Sequence, residues 1–89
     1  MIVEFDKSFE KSLEKIKNKS LFQKIKKTII EFENARTLSD LSNIKKLTGY
    51  KYYYRVRIGE YRLGFEKIAE NTLRFIIVAH RKDIYKVFP

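Results

Sequence analysis

The sequence predicts a small α+β domain of order β-α-α-β-β-β, a helical hairpin packed on a mostly antiparallel twisted sheet and followed by a short C-terminal segment. Three observations carry this. Apolar residues recur at helical spacing from Phe9 to Phe32. The period changes to 2 after Tyr50. A Gly59-Glu60 pair then separates two alternating runs. The 89 residues suit one domain, 1–89, and a chain of this size buries only about 60% of its unfolded surface.

Ile2 to Phe5 is short and apolar and reads as a strand, with Asp6 as N-cap of the helix after it. Phe9, Leu13 and Ile16 sit at i, i+4, i+7, the stripe of an amphipathic helix over about 7–17. Asn18-Lys19-Ser20 interrupts the pattern, and Ser20 can cap a second helix over about 20–36. Its stripe is Leu21, Ile25, Ile29 and Phe32, widened by Phe22 and Ile30. Residues 37–44, with Leu38 and Leu41, read as a loop or short helical turn packing on the core.

A two-residue loop that begins with Gly suits a type II′ hairpin turn, and the turn type sets the register. Ile58 then pairs with Tyr61, Val56 with Leu63 and Tyr54 with Phe65, all on the core face. The other face shows Arg57 against Arg62, Arg55 against Gly64 and Tyr53 against Glu66. Two arginines directly across an antiparallel pair repel. Broken local rules tend to mark functional sites, and arginine's planar fork suits a phosphate. Residues 72–79 are apolar on both faces, as a central strand requires. A four-residue loop at 69–72 would put Arg81 on the face of Arg62, and a five-residue loop would put it on the other.

The formal net charge is +9 and is not evenly spread. Residues 6–36 carry nine Lys/Arg against five Asp/Glu. Residues 45–62 carry six, Lys45, Lys46, Lys51, Arg55, Arg57 and Arg62, against Glu60 alone. Such a patch attracts a polyanion. The absence of Cys removes disulfides and thiolate metal sites. The single His has no cluster of carboxylates beside it, and Gly59 and Gly64 fit no nucleotide-binding loop. No metal site and no cofactor are expected. The start, Met-Ile-Val-Glu-Phe-Asp, lacks the charged and apolar regions of a signal peptide. No apolar run approaches the ~20 residues that span a bilayer. A cytoplasmic protein without a membrane partner is expected.

Arg, Lys, Tyr and one His suit phosphoryl transfer on RNA, in which the ribose 2′-OH is the nucleophile. The enzyme must take that proton, stabilise charge on the phosphate and protonate the leaving 5′-oxygen. Arginines supply the charge; His, Lys or Tyr can move protons; exposed Tyr can stack on bases.

The stretch from Leu47-Thr48-Gly49 through the basic strand and Gly59-Glu60 to Tyr61-Arg62-Leu63 resembles the RelE/ParE toxin superfamily, and so does the ending Val78-Ala79-His80-Arg81-Lys82-Asp83-Ile84-Tyr85. The resemblance covers nearly the whole chain. It implies a toxin of a type II toxin–antitoxin system, neutralised by a small acidic antitoxin wrapped around it. In the RelE-like branch it implies cleavage of mRNA in the ribosomal A site. Arg55, Arg57, Arg62 and Arg81 match RelE-like active positions, and Tyr85 matches a tyrosine near that family's C-terminus at slightly different spacing. The expected catalytic set is Arg62, Arg81, His80 and Tyr85. The expected RNA-binding set is Lys46, Lys51, Tyr53, Arg55, Arg57 and Lys82. One departure matters: the RelE-like strand usually bears lysines where Arg55 and Arg57 stand, and an arginine cannot lose its proton. His80, or Lys51, is then the replacement base. The alternatives are a ParE-like toxin directed at DNA gyrase and an inactive antitoxin-binding member.

Overall fold

A computed structural model describes all 89 residues. Their order is β1 (Ile2–Phe5), α1 (Lys7–Glu14), α2 (Lys19–Asn34), a 3-10 turn at Leu38–Asp40, β2 (Ile44–Lys46), β3 (Tyr53–Ile58), β4 (Tyr61–Ala69), β5 (Thr72–His80) and α3 (Ile84–Val87). The five strands form one mixed sheet of order β1-β5-β4-β3-β2. β1 runs parallel to β5 and every other neighbour is antiparallel. The α+β expectation holds, with one strand and one short helix beyond it. The extra strand is β2, which begins at the last residue of the stretch read as loop and runs on to Lys46.

Local chemistry explains most of the boundaries. Asp6 caps α1 as expected, accepting from Ser8 N at 3.2 Å and Ser8 Oγ at 2.6 Å. Those bonds hold the Asp6 carboxyl below its ordinary pKa of 3.8. α1 ends at Glu14, earlier than its stripe suggests. Lys15 and Ile16 instead donate to Ser12 O and Leu13 O in tighter turns, and Ile16 still packs on the core. Asn18, not Ser20, caps α2, its Oδ1 accepting from Leu21 N at 3.0 Å. Asn and Ser cap equally well, so spacing alone could not choose between them. At the far end of α2 the Met1 amine donates to the carbonyls of Phe32, Glu33 and Ala35, in the last turn where helix carbonyls lack their usual i+4 donors.

β1 covers β5 only from Thr72 to Phe75. Beyond that α1 takes over the strand edge. Asp6 N donates to Phe75 O at 2.9 Å, the one proton of the Ser8 hydroxyl is shared between Asp6 Oδ2 and the Ile76 carbonyl, and Ser12 Oγ accepts from Val78 N at 3.1 Å. An otherwise open edge is thereby satisfied by side chains.

The core is one cluster of eleven buried residues between the helices and one sheet face. Phe32, Phe65 and Phe75 meet at centroid distances of 5.2 to 5.9 Å, and Phe9 packs on Phe75 at 5.6 Å. A smaller apolar layer lies apart from this cluster. Ile84 and Phe88, 1% and 4% exposed, seat the C-terminal segment on the opposite sheet face.

Candidate phosphate-binding groove

The hairpin has the expected register. Tyr54 pairs with Phe65, Val56 with Leu63 and Ile58 with Tyr61, which leaves Arg57 opposite Arg62 and Arg55 opposite Gly64. Gly59 has φ +59°, the left-handed conformation that a type II′ turn needs at that position. The β4–β5 ladder closes on Ala69 and Thr72. Its two register shifts, at Gly64/Phe65 and Lys67/Ala69, offset each other, so Arg62 pairs with Ala79. Arg81, two residues on, shares the face of Arg62.

The arginine pair resolves its repulsion by bending. Arg62 Nη1 donates to Gly59 O at 3.0 Å and to Tyr61 O at 2.9 Å, drawing its guanidinium onto the turn. Arg57 stays exposed. Arg81 is tied to the same turn: its N–H donates to Glu60 O at 2.8 Å, and its Nε lies 2.7 Å from Glu60 Oε2. The turn therefore aims both arginines while most of their N–H groups stay free.

α3 brings in the next part. Tyr85 is 76% exposed and lies under the Arg55 guanidinium, whose carbon sits 4.7 Å from the ring centroid. Arg55, by hydrogen bonding to the phenol and then by its charge, holds the Tyr85 pKa below the ordinary 10.0, and Lys45 and Arg62 add smaller pulls the same way. Three adjoining hollows of about 420, 410 and 360 Å³ share Arg55 and Tyr85 as common wall. The first adds Asn43, Lys45, Arg57 and Arg62. The second adds Lys45, Lys46 and Phe88. The third adds Arg62, Arg81 and Lys82. Together they make an open groove whose charged side chains are all cationic.

Of the expected residues, the groove gathers Arg55, Arg57, Arg62, Arg81, Tyr85, Lys46 and Lys82. It does not gather the other three. His80 pairs with Tyr61 across the ladder, its ring 5.3 Å from the Tyr61 ring on the helix-covered side. Its Nδ1 accepts from Lys82 N at 3.2 Å. Strand alternation is the reason: neighbours His80 and Arg81 must point to opposite faces. Lys51 lines a separate hollow with Tyr52, Tyr54, Glu66 and Lys67. Tyr53 lies on the groove face, but its ring packs edge-on against Phe88 and Tyr50, at 5.5 Å in each case.

Two residues that sequence reasoning did not assign to the site belong to it. Lys45 is the β2 partner of Arg55 and so faces the groove. Ile44-Lys45-Lys46-Leu47 does not alternate, so no period marks this short strand in the sequence. Gly64 carries no functional group, yet it provides the seat for Phe88.

Comparison with known proteins identifies the family of the fold. The family model described as "ParE toxin of type II toxin-antitoxin system, parDE" matches residues 3–85. The chain is 43% identical to Toxin RelE3 of Methanocaldococcus jannaschii over 90 residues, covering 100% of both chains. It superposes on the toxin fold in the crystal structure of a RelB-RelE antitoxin-toxin complex from Methanococcus jannaschii with a TM-score of 0.80 and 40% identity, over 97% of this chain and 99% of that one. The isolated E. coli RelE toxin, 23% identical, shares the fold with a TM-score of 0.68 over 96% of this chain and 90% of that one. The chain belongs to the RelE/ParE superfamily, the RelE-type toxins of type II toxin–antitoxin systems.

Proposed function

We propose that this toxin is an RNA endonuclease that cleaves mRNA in the ribosomal A site. The observation that carries the reading is the groove in which Arg55 and Tyr85 are flanked by Lys45, Arg57, Arg62 and Arg81. The 2′-oxygen attacks the adjacent phosphorus as it loses its proton, the bond from phosphorus to the 5′-oxygen breaks, the 5′-oxygen takes a proton from water, and the products are a 2′,3′-cyclic phosphate and a 5′-hydroxyl. Arg62 and Arg81 hold the scissile phosphate, and Arg55 and Arg57 bind the backbone and stabilise charge. Such donors, aimed in advance, are worth most where charge develops. With His80 on the other face, we assign proton transfer to Tyr85, which stands against Arg55 at the centre of the groove. Arg55 favours its phenolate, which takes the 2′-proton as general base.

This assignment gives the pH dependence a definite sign. The Tyr85 pKa is lowered, so the active phenolate grows in as pH rises through a value below 10.0. Cleavage should rise over that range, and Tyr85→Phe should remove the rise. Because arginines supply the charge, cleavage should persist in EDTA. The direct test is primer extension on translated mRNA after induction. In-frame cuts support the reading; growth arrest without cuts sinks it. A cognate antitoxin, small and acidic, completes the proposal, as solved neighbours include antitoxin-toxin complexes.

The matching family model favours one second reading, a ParE-like toxin directed at DNA gyrase. Inhibition of supercoiling with no RNA cut would select it.

A further inference from the structure

We infer that Gly64 and Phe88 form a positioning pair that sets Tyr85 in the groove. The inference rests on the nuclease reading for its consequence, not for its geometry. α3 has four residues, Ile84–Val87, and one helical turn is too short to hold itself in place. Its location is set by its anchors. These are Ile84 and Phe88, both buried, which stand on either side of Tyr85 in sequence. Tyr85 itself is mostly exposed, and its ring meets the Arg55 guanidinium. Where Phe88 sits therefore decides where Tyr85 sits.

Gly64 decides where Phe88 sits. A Cβ added at Gly64 would lie 2.6 Å from Phe88 Cδ2 and Cγ and 2.8 Å from Cδ1, closer than carbon atoms approach without displacement. The ring borders the hollow it shares with Arg55 and Tyr85, so any retreat from Gly64 carries the C-terminal segment with it. Phe88 is 4% exposed, its ring lies 5.5 Å from the Tyr53 ring, and its backbone N–H donates to Ile84 O at 2.9 Å. Glycine inside a strand is otherwise unfavourable and often marks a close approach. Gly64 is also the cross-strand partner of Arg55, so the seat for Phe88 lies beside the guanidinium that Tyr85 must meet. Gly64 and Phe88 are thus positioning residues, and neither needs to touch RNA.

The test compares the full chain with Gly64→Ala and Phe88→Ala. Phe88 lies outside the eleven-residue core cluster, so Phe88→Ala should leave that cluster's packing in place and provides a second variant if Gly64→Ala does not fold. Proton NMR should show a Phe88 ring to Gly64 Hα cross-peak in the native chain. Tyr85 ionisation is read as the tyrosinate absorbance lost on adding Tyr85→Phe to each background. Arg55, Lys45 and Arg62 act on this titration, with Arg81 and Lys82 in the adjoining hollow. Both variants should unfold cooperatively, with the Tyr85 midpoint raised toward that of free tyrosine and RNA cleavage reduced about a hundredfold, the effect of a misplacement near 1 Å. A folded variant whose Tyr85 midpoint is unchanged overturns the inference, as does a raised midpoint with cleavage intact. If the native chain cuts no RNA, the nuclease reading fails, while the midpoints still decide the positioning claim.

Discussion

The two faces of the β3–β4 hairpin are built from alternate residues of the same strands, yet they do opposite work. On one face Val56, Ile58, Leu63 and Phe65 are buried beneath the helices. On the other, Arg55, Arg57 and Arg62 line the groove, and Phe88 seats on Gly64, the cross-strand partner of Arg55. The first face holds the fold. The second accepts like charges side by side, which a folding optimum would avoid. Because the two sets of side chains are separated by the thickness of a sheet, stability and activity should respond to different substitutions.

The sharpest way to break that separation is Phe75→Ala. Phe75 is fully buried and meets the rings of Phe5, Phe9, Phe32 and Phe65. Its loss should destabilise by about 3–5 kcal/mol, much of what a small domain has, as read by urea denaturation. Arg62→Ala comes next. It should lower cleavage by about 10²–10³, the scale for removing one preorganised charge-stabilising donor. The urea midpoint should stay nearly where it was, since Arg62 bonds only to turn carbonyls. A loss of stability in Arg62→Ala comparable with that of Phe75→Ala would mean that the faces are not separate.

The core face was readable in advance for a simple reason. The Gly-led turn fixes register, and a one-residue slip would turn every apolar side chain to solvent. The groove face was readable only as far as the hairpin extends. β2 has three residues, and its pairing of Lys45 with Arg55 depends on a partner that no local period announces. The side of the sheet taken by Arg81 depended on two offsetting register shifts. His80 was misplaced because it stands next to Arg81 in sequence, and in a strand adjacency means opposite faces. The close approach of Phe88 to Gly64 joins positions far apart in the chain, and no spacing rule points to it.

Lys45 offers a finer test, because β2 is the least readable strand. It faces the groove beside Arg55 but forms no ion pair there. If it neutralises one RNA phosphate, Lys45→Ala should weaken binding modestly and evenly across sequences. The slope of log affinity against log salt should fall by about one phosphate's worth, roughly 0.7 for a single strand. Lys51→Ala, in the other hollow, should leave the slope unchanged. Equal slope changes for the two would remove β2 from the groove.

The smallest effect is expected at His80, and it decides how the proton moves. His80 packs on Tyr61 and its Nδ1 already accepts from Lys82 N. Replacing it with Gln keeps a polar side chain of similar length without an imidazole that titrates. If the proton passes through Tyr85, His80→Gln should change the cleavage rate by less than about threefold, well short of the 10²–10⁴ that general acid–base groups supply. The limb that rises toward high pH should persist in His80→Gln and vanish in Tyr85→Phe. If instead His80→Gln abolishes cleavage, the end of β5 must turn over when RNA binds. The two faces of the sheet would then share one reaction.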